Sequence, residues 1–222
     1  MQHNYLNRRH CIVLAANLAG IGISRSMAAS TAQPERTAHT LLVLGDSLSA
    51  EYGLKRGSGW VALLEQKLQA EKISAKVVNA SISGDTSSGG RARLPALLAQ
   101  HQPTLVVIEL GANDALRGLP LDLTRDNLLA MTRLAQQSGA RVVLLGMQVP
   151  PNYGRDYAQR FARMYADVAQ TTRAALVPFL LKGIADAPDS LAWFQADRIH
   201  PLEKAHPRML ANVWPTLKKG LQ

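Results

Sequence analysis

Leu41-Leu42-Val43-Leu44-Gly45-Asp46-Ser47-Leu48-Ser49 is a four-residue apolar run that stops at a glycine and gives way at once to small polar residues. Such a run, too short for a helix and apolar on both faces, reads as a buried strand of a parallel sheet. The residues that follow it occupy a loop. Downstream, Trp60, Leu63, Leu64 and Leu68 fall on one face of a helix. The same alternation then repeats. Lys76 to Ala80, Leu105 to Leu110, Arg141 to Leu145 and Leu176 to Phe179 read as strands two to five. Between them lie helical patterns: Leu94, Leu97 and Leu98; Leu128, Met131, Leu134 and Ala135, ended by Gly139 as a cap; and Tyr157, Phe161, Met164, Tyr165 and Val168. Pro95 is expected near the start of its helix. Met209, Leu210, Val213 and Leu217 mark a closing helix. The pattern predicts an α/β fold, with about five parallel strands covered by helices on both faces.

Composition narrows the possibilities further. The chain has 222 residues, enough for one domain, and 47% are hydrophobic, enough for a packed core. Cys11 is the single cysteine, which excludes a disulfide framework and a cysteine-rich metal site. Residues 1–32 read as an export signal: Arg8, Arg9 and His10, then the apolar stretch Cys11–Ile23, then Ala28-Ala29-Ser30 as a cleavage site. Cleavage near residues 28–32 would leave a mature protein starting near Thr31, without cysteine, in the periplasm or secreted. The apolar stretch is short for a permanent membrane anchor. Arg8-Arg9 leaves the general and the twin-arginine export routes both open. Residues 1–32 hold three of the 25 basic residues and none of the 16 acidic ones, so 22 against 16 remain. That excess is scattered, not gathered into a stripe with interleaved aromatics, so nucleic acid is not an expected partner. No internal repeat or linker divides residues 40–222, and nothing marks an extra apolar helix face, so a monomer is expected.

In a parallel α/β sheet, ligands bind beyond the carboxyl ends of the strands. The loops after strands are therefore the ones to read for chemistry. The first offers Ser47, whose hydroxyl needs a neighbouring base to become a nucleophile; the alternative is a turn in which Asp46 and Ser47 cap a helix. The second offers Gly84, whose amide can face a ligand at close approach; the alternative is a turn capped by Asp85 or Thr86. The third, Gly111-Ala112-Asn113-Asp114, offers an amide side chain able to donate to an oxyanion, together with the amides of Ser47 and Gly84. Near the C-terminus, Asp197-Arg198-Ile199-His200-Pro201 can set a carboxylate against an imidazole. His200 and His206 fit no zinc spacing. Gly57-Ser58-Gly59-Trp60-Val61-Ala62 matches a dinucleotide fingerprint but follows no strand directly.

The four segments GDSLS, the loop ending in Gly84, GAND and DRIHP resemble, in order, the conserved blocks of the SGNH (GDSL) hydrolase family. The resemblance spans about residues 40–219. GDSLSAEYGL, NASISGDTSSGGRARLPALL, LGANDALRG and VPPNYGRDYAQRF are similar to the periplasmic multifunctional thioesterase, lysophospholipase and arylesterase branch. It implies a flavodoxin-like α/β/α sandwich, a Ser47–His200–Asp197 triad and an oxyanion hole from Ser47, Gly84 and Asn113. It implies esters and thioesters as substrates, an acyl-enzyme on Ser47, and no metal or organic cofactor. Arg198 stands where the family often has glycine, and Glu51 and Gly53 also depart from the pattern. Leu116, Met147, Val149 and Tyr153 are candidate walls of an acyl groove, with packing on the scaffold as the equal alternative. A carbohydrate O-acetyl esterase on the same scaffold is the second enzymatic reading. A non-catalytic binding protein is the third.

Overall fold

The structure, a computed structural model, describes residues 39–222. The export-signal reading of residues 1–32 and the proposed start near Thr31 lie outside the described residues. Five parallel strands, β1 (His39–Gly45), β2 (Ala75–Asn79), β3 (Leu105–Glu109), β4 (Arg141–Leu145) and β5 (Ala175–Val177), form one sheet in the order β2-β1-β3-β4-β5. Among the described residues the α-helices are α1 (Trp60–Ala70), α2 (Ser87–His101), α3 (Ala112–Leu116), α4 (Leu121–Gln137), α5 (Arg155–Thr172) and α6 (His206–Gly220). Helix α1 packs on α6, whereas α2 packs on α4 and α4 on α5. These two groups are the outer layers of an α/β/α sandwich.

The central strands are apolar because both faces are covered. Leu41 to Leu44 and Leu105 to Ile108 have no solvent exposure. In register, Leu41 pairs with Leu105 and Gly45 with Glu109, so β1 and β3 end side by side. That shared end is where the order of strands reverses, with β2 on one side and β4 on the other. In a parallel α/β sheet such a switch point is where ligand sites lie.

Two expectations need correction. Pro95 lies in the middle of α2, not near its start. Its ring is on the exposed side, so the backbone groups it leaves unpaired can be met by water. The segment 112–116, read as a loop, forms the short helix α3. The glycine fingerprint at 57–62 is occupied by the chain itself. The carboxylate of Glu51 accepts from the amides of Gly57 at 3.0 and 3.1 Å and of Gly59 at 2.8 Å, at the N-terminus of α1. The next amide, of Trp60, donates to Nδ1 of His206 at 3.0 Å. Burial holds His206 down to about 4, so it stays a neutral acceptor that joins α1 to α6.

Candidate active site

The strand end at Gly45 throws the chain into a tight turn. The amide of Leu48 donates back to Oδ1 of Asp46 at 3.0 Å, a side-chain turn of the kind aspartate favours. Asp46 and Leu48 are buried by this turn, and Ser47 between them is left half-buried. After β2, Gly84 adopts φ +78°, a left-handed conformation glycine enters freely. The next helix is capped by Thr86, whose hydroxyl accepts from the amide of Gly89 at 3.3 Å. Among the described residues, the amides of Ser47 and Gly84 donate to no protein acceptor.

After β3, Gly111 has φ +115°, and a Cβ there would stand 2.6 Å from Oη of Tyr165. Asp114 is wholly buried and accepts from the amide of Ser87 at 2.8 Å, its hydroxyl at 2.5 Å and the hydroxyl of Thr124 at 3.2 Å. Helix α3 is thereby pinned to α2 and α4, which fixes Asn113. Its amide donates to Oδ2 of Asp46 at 2.9 Å and to the carbonyl of Asp85 at 3.0 Å. One asparagine thus joins all three loops.

The fourth piece is a hairpin. Phe194 and Pro201 form an antiparallel bridge, and the amide of Gln195 donates to the carbonyl of His200 at 2.8 Å. At its tip, Oδ1 of Asp197 accepts from the amides of Ile199 and His200, both at 3.0 Å. Oδ2 of Asp197 lies 2.6 Å from Nδ1 of His200, and Nε2 of His200 lies 2.9 Å from Oγ of Ser47. Some burial raises the Asp197 pKa, but the hydrogen bonds from the His200 ring and from the amides of His200 and Ile199 outweigh it and hold the carboxyl near 2. The carboxylate therefore stays charged and can hold the proton of the imidazole on Nδ1, leaving Nε2 to accept from the serine hydroxyl.

Two residues absent from the sequence reading help to build this site. The ring of Tyr52 lies 4.2 Å from that of His200 between centroids, tilted by 38°. Nε2 of Gln195 donates to the carbonyl of Tyr52 at 3.0 Å and of Pro201 at 3.2 Å, tying the hairpin to the loop after β1. An aromatic five residues beyond Ser47, in a loop already singled out, was the available signal. The suggested groove walls separate. Leu116 is exposed, Tyr153 half-buried, and Val149 half-buried in a groove of about 580 Å³ against α5. Met147 is 5% exposed and belongs to the core. Packing accounts for Met147 in this structure. Among the described residues, no group of three or more His, Cys, Asp or Glu side chains could hold a metal ion.

The model of the GDSL-like lipase/acylhydrolase family matches residues 43–208, well over half of the chain. The chain belongs to that family. This acylhydrolase is 54% identical over 184 residues to the esterase TesA of Pseudomonas aeruginosa, covering 83% of this chain and 90% of TesA. It is 44% identical over 170 residues to thioesterase 1/protease 1/lysophospholipase L1 of Escherichia coli, covering 77% and 79%. Among solved structures, the psychrotrophic esterase EstA from a Pseudoalteromonas species, inhibited by monoethylphosphonate, superposes with TM-score 0.77. The two are 43% identical, over 82% of this chain and 98% of EstA.

Proposed function

We propose that this acylhydrolase cleaves carboxylic esters and thioesters through an acyl-enzyme on Ser47. The observation that carries the reading is the run of two hydrogen bonds from Asp197 to His200 to Ser47, at 2.6 and 2.9 Å. The relatives named as an esterase and as a thioesterase and lysophospholipase support the substrate class.

In the first step, Oγ of Ser47 attacks the acyl carbonyl while Nε2 of His200 takes its proton. Asp197 keeps the other imidazole proton on Nδ1 and stabilises the imidazolium. The carbonyl oxygen gains charge and is met by the amides of Ser47 and Gly84 and by Nδ2 of Asn113. Both Nδ2 hydrogens are engaged in the free site, so one is shared with the oxyanion when it forms. Such donors are worth about 10²- to 10³-fold each in turnover. The alcohol or thiol leaves with the proton held by His200. A water then gives its proton to His200, attacks the acyl carbon and releases the acid, which restores Ser47. Leu116, Val149 and Tyr153 are the lining residues this reading retains. An apolar groove distinguishes chain lengths by only about 1–3 kcal/mol per methylene, which favours a broad range of acyl groups. The substrate is a small acyl ester or thioester, the protein acts as a monomer, and the leader-like residues 1–32 support export to the periplasm. Among the described residues, no helix is long and apolar enough to cross a membrane.

The test is a matched panel of p-nitrophenyl esters, acyl-CoAs, lysophospholipids and acetylated sugars, run on the wild type and on Ser47→Ala. Turnover extending beyond acetyl esters, and lost by about 10⁴-fold or more in Ser47→Ala, is the expected result. Near-wild-type turnover in the variant overturns the nucleophile assignment. Activity confined to acetylated sugars overturns the substrate class.

A further inference from the structure

Glu109 ends β3 after four apolar residues and has no solvent exposure. Among the described residues it takes part in no ion pair. Burying an unpaired carboxylate costs several kcal/mol, so an acid here calls for a physical reason. Its hydrogen bonds suggest one. Oε2 accepts from the amide of Asp46 at 3.2 Å and from the hydroxyl of Ser49 at 2.8 Å. Ser49 in turn accepts from the indole N–H of Trp60 at 3.2 Å. The residues on either side of the Ser47–Leu48 step are thus tied to the end of β3. Gly45 makes room for this, since a Cβ there would come within 2.9 Å of Oε2 of Glu109. Asp46, bound by its amide to Glu109, holds the Asn113 side chain through its own carboxylate at 2.9 Å. One buried acid therefore underlies both the serine turn and, through Asp46, the asparagine.

We propose that Glu109 is a positioning residue for the hydrolysis argued above. As a neutral acid it fixes the Asp46–Ser49 turn from beneath and, through Asp46, sets the direction of the Asn113 amide. The proposal rests on Ser47 being the nucleophile. Neutrality follows from the surroundings. Oε1 of Glu109 is buried without a partner, and the groups facing the pair from the neighbouring elements include no cation bound to it. Asp85 and Asp114 are acids, Tyr165 donates its hydroxyl to the carbonyl of Leu110 at 3.0 Å, and Arg93 is spent on Asp85 at 2.8 Å. His200 faces Asp46 across the turn. Burial, then the charge of Asp46, pushes Glu109 well above the usual carboxylate range. Above about pH 6, where Asp46 ionises, Glu109 keeps its proton.

The experiment compares Glu109→Gln, Glu109→Leu and Ser49→Ala in the full chain. It reads kcat and KM for a p-nitrophenyl ester from acid to alkaline pH, and the rate at which an aryl phosphonate labels Ser47. Glutamine keeps a carbonyl acceptor and carries no charge, so Glu109→Gln is expected to hold kcat within about threefold, with the wild-type pH profile. Leucine leaves the Asp46 and Ser49 donors without an acceptor. The turn relaxes, and a misplacement of about 1 Å costs up to about 10² in rate, so kcat is expected to fall about 10- to 100-fold with KM within about threefold. Ser49→Ala breaks one link without touching a buried acid, and keeps the test alive should Glu109→Leu not fold. There kcat is expected to fall about 3- to 10-fold with KM unchanged. Wild-type kcat in Glu109→Leu or in Ser49→Ala overturns the proposal, and so does Glu109→Gln as damaged as Glu109→Leu. If wild-type Ser47 resists labelling, the nucleophile reading itself fails, and the positioning claim with it.

Discussion

The two sides of the Ser47–His200 contact are held in opposite ways. On the serine side, Asp46 and Ser49 are buried, and their partners Glu109 and Asn113 lie 60 to 67 positions away in the chain. On the histidine side, Asp197 and its neighbours are exposed, and all three hydrogen bonds to Asp197 come from within three positions. That turn reaches the rest of the molecule through Gln195, which grips the carbonyl of Tyr52. The nucleophile is therefore fixed by the fold, whereas the base is fixed by a local hairpin resting against it. Segments with few buried contacts open at low free-energy cost. Damage on the serine side should lower stability and rate together; damage on the histidine side should lower rate alone.

The sharpest way to break that contrast is Asp197→Asn. An amide can turn its NH2 towards Nδ1 and force the imidazole proton onto Nε2, where it faces Ser47. Turnover is expected to fall about 10²- to 10⁴-fold. Because the turn is exposed and local, thermal unfolding is expected to move by less than about 2 °C. A large loss of stability would show that the hairpin is part of the cooperative core.

The pH dependence of stability separates the sides by sign. Burial, ahead of the hydrogen bond from Leu48 that opposes it, raises Asp46 from 3.8 to about 6. Between these values the unfolded chain ionises while the folded one keeps its proton, so stability falls as pH rises through that window, by up to about 3 kcal/mol. Asp197 is held below its usual value instead, so its contribution, kept small by solvent because the carboxyl is exposed, is present above the ordinary aspartate range and is lost as pH falls towards 2. Denaturant unfolding across this range should show a downward slope above pH 4, which Asp46→Asn makes shallower. The Glu109 carboxyl, also raised, keeps the slope from vanishing. A slope unchanged in Asp46→Asn would place the titration elsewhere.

The same contrast explains what could be read from the amino acids alone. The strands were legible because burial on both faces writes a continuous apolar run, as in Leu41 to Leu44 and Leu105 to Ile108. The loops that carry Ser47, Gly84, Asn113 and His200 were legible because a parallel sheet assigns such residues to one edge. Local motifs were legible where a residue type has one strong habit, as with the Gly139 cap at φ +89° after α4. Helix α3 was not, since five residues carry too little periodicity. Pro95 misled because a proline in a helix is tolerated only when its side faces water, and that depends on packing. Glu109 was passed over because the residues that employ it lie 60 positions or more upstream. Met147 and Val149 could not be told apart because apolar loop residues look alike whether they line a groove or fill a core.

Smaller effects probe the join between the two sides. Tyr52 is 49% exposed, yet its ring covers His200. An aromatic face stabilises a neighbouring cation by about 0.5–1 kcal/mol at an exposed site, and an imidazolium forms only as the reaction proceeds. Tyr52→Leu is expected to lower kcat about 2- to 5-fold, with Tyr52→Phe close to wild type because the face remains. If Phe and Leu behave alike, the hydroxyl or the packing matters and the aromatic face does not.

The smallest change bears on the tip of this hairpin. Arg198 is exposed at φ +59°, a left-handed conformation that costs a side-chain-bearing residue about 1–2 kcal/mol. Glycine enters it without that strain but loses more backbone freedom on folding, about 0.5–1 kcal/mol. The balance favours Arg198→Gly by about 0.5–1 kcal/mol, a rise of about 1–4 °C in Tm for a chain of this size. The amides of Ile199 and His200 that hold Asp197 are backbone groups and survive the change, so turnover of a neutral ester should stay within about twofold. A fall in Tm would mean that the arginine stem packs against the hairpin strongly enough to outweigh its strain. The histidine side would then have a tie to the body of the molecule beyond Gln195.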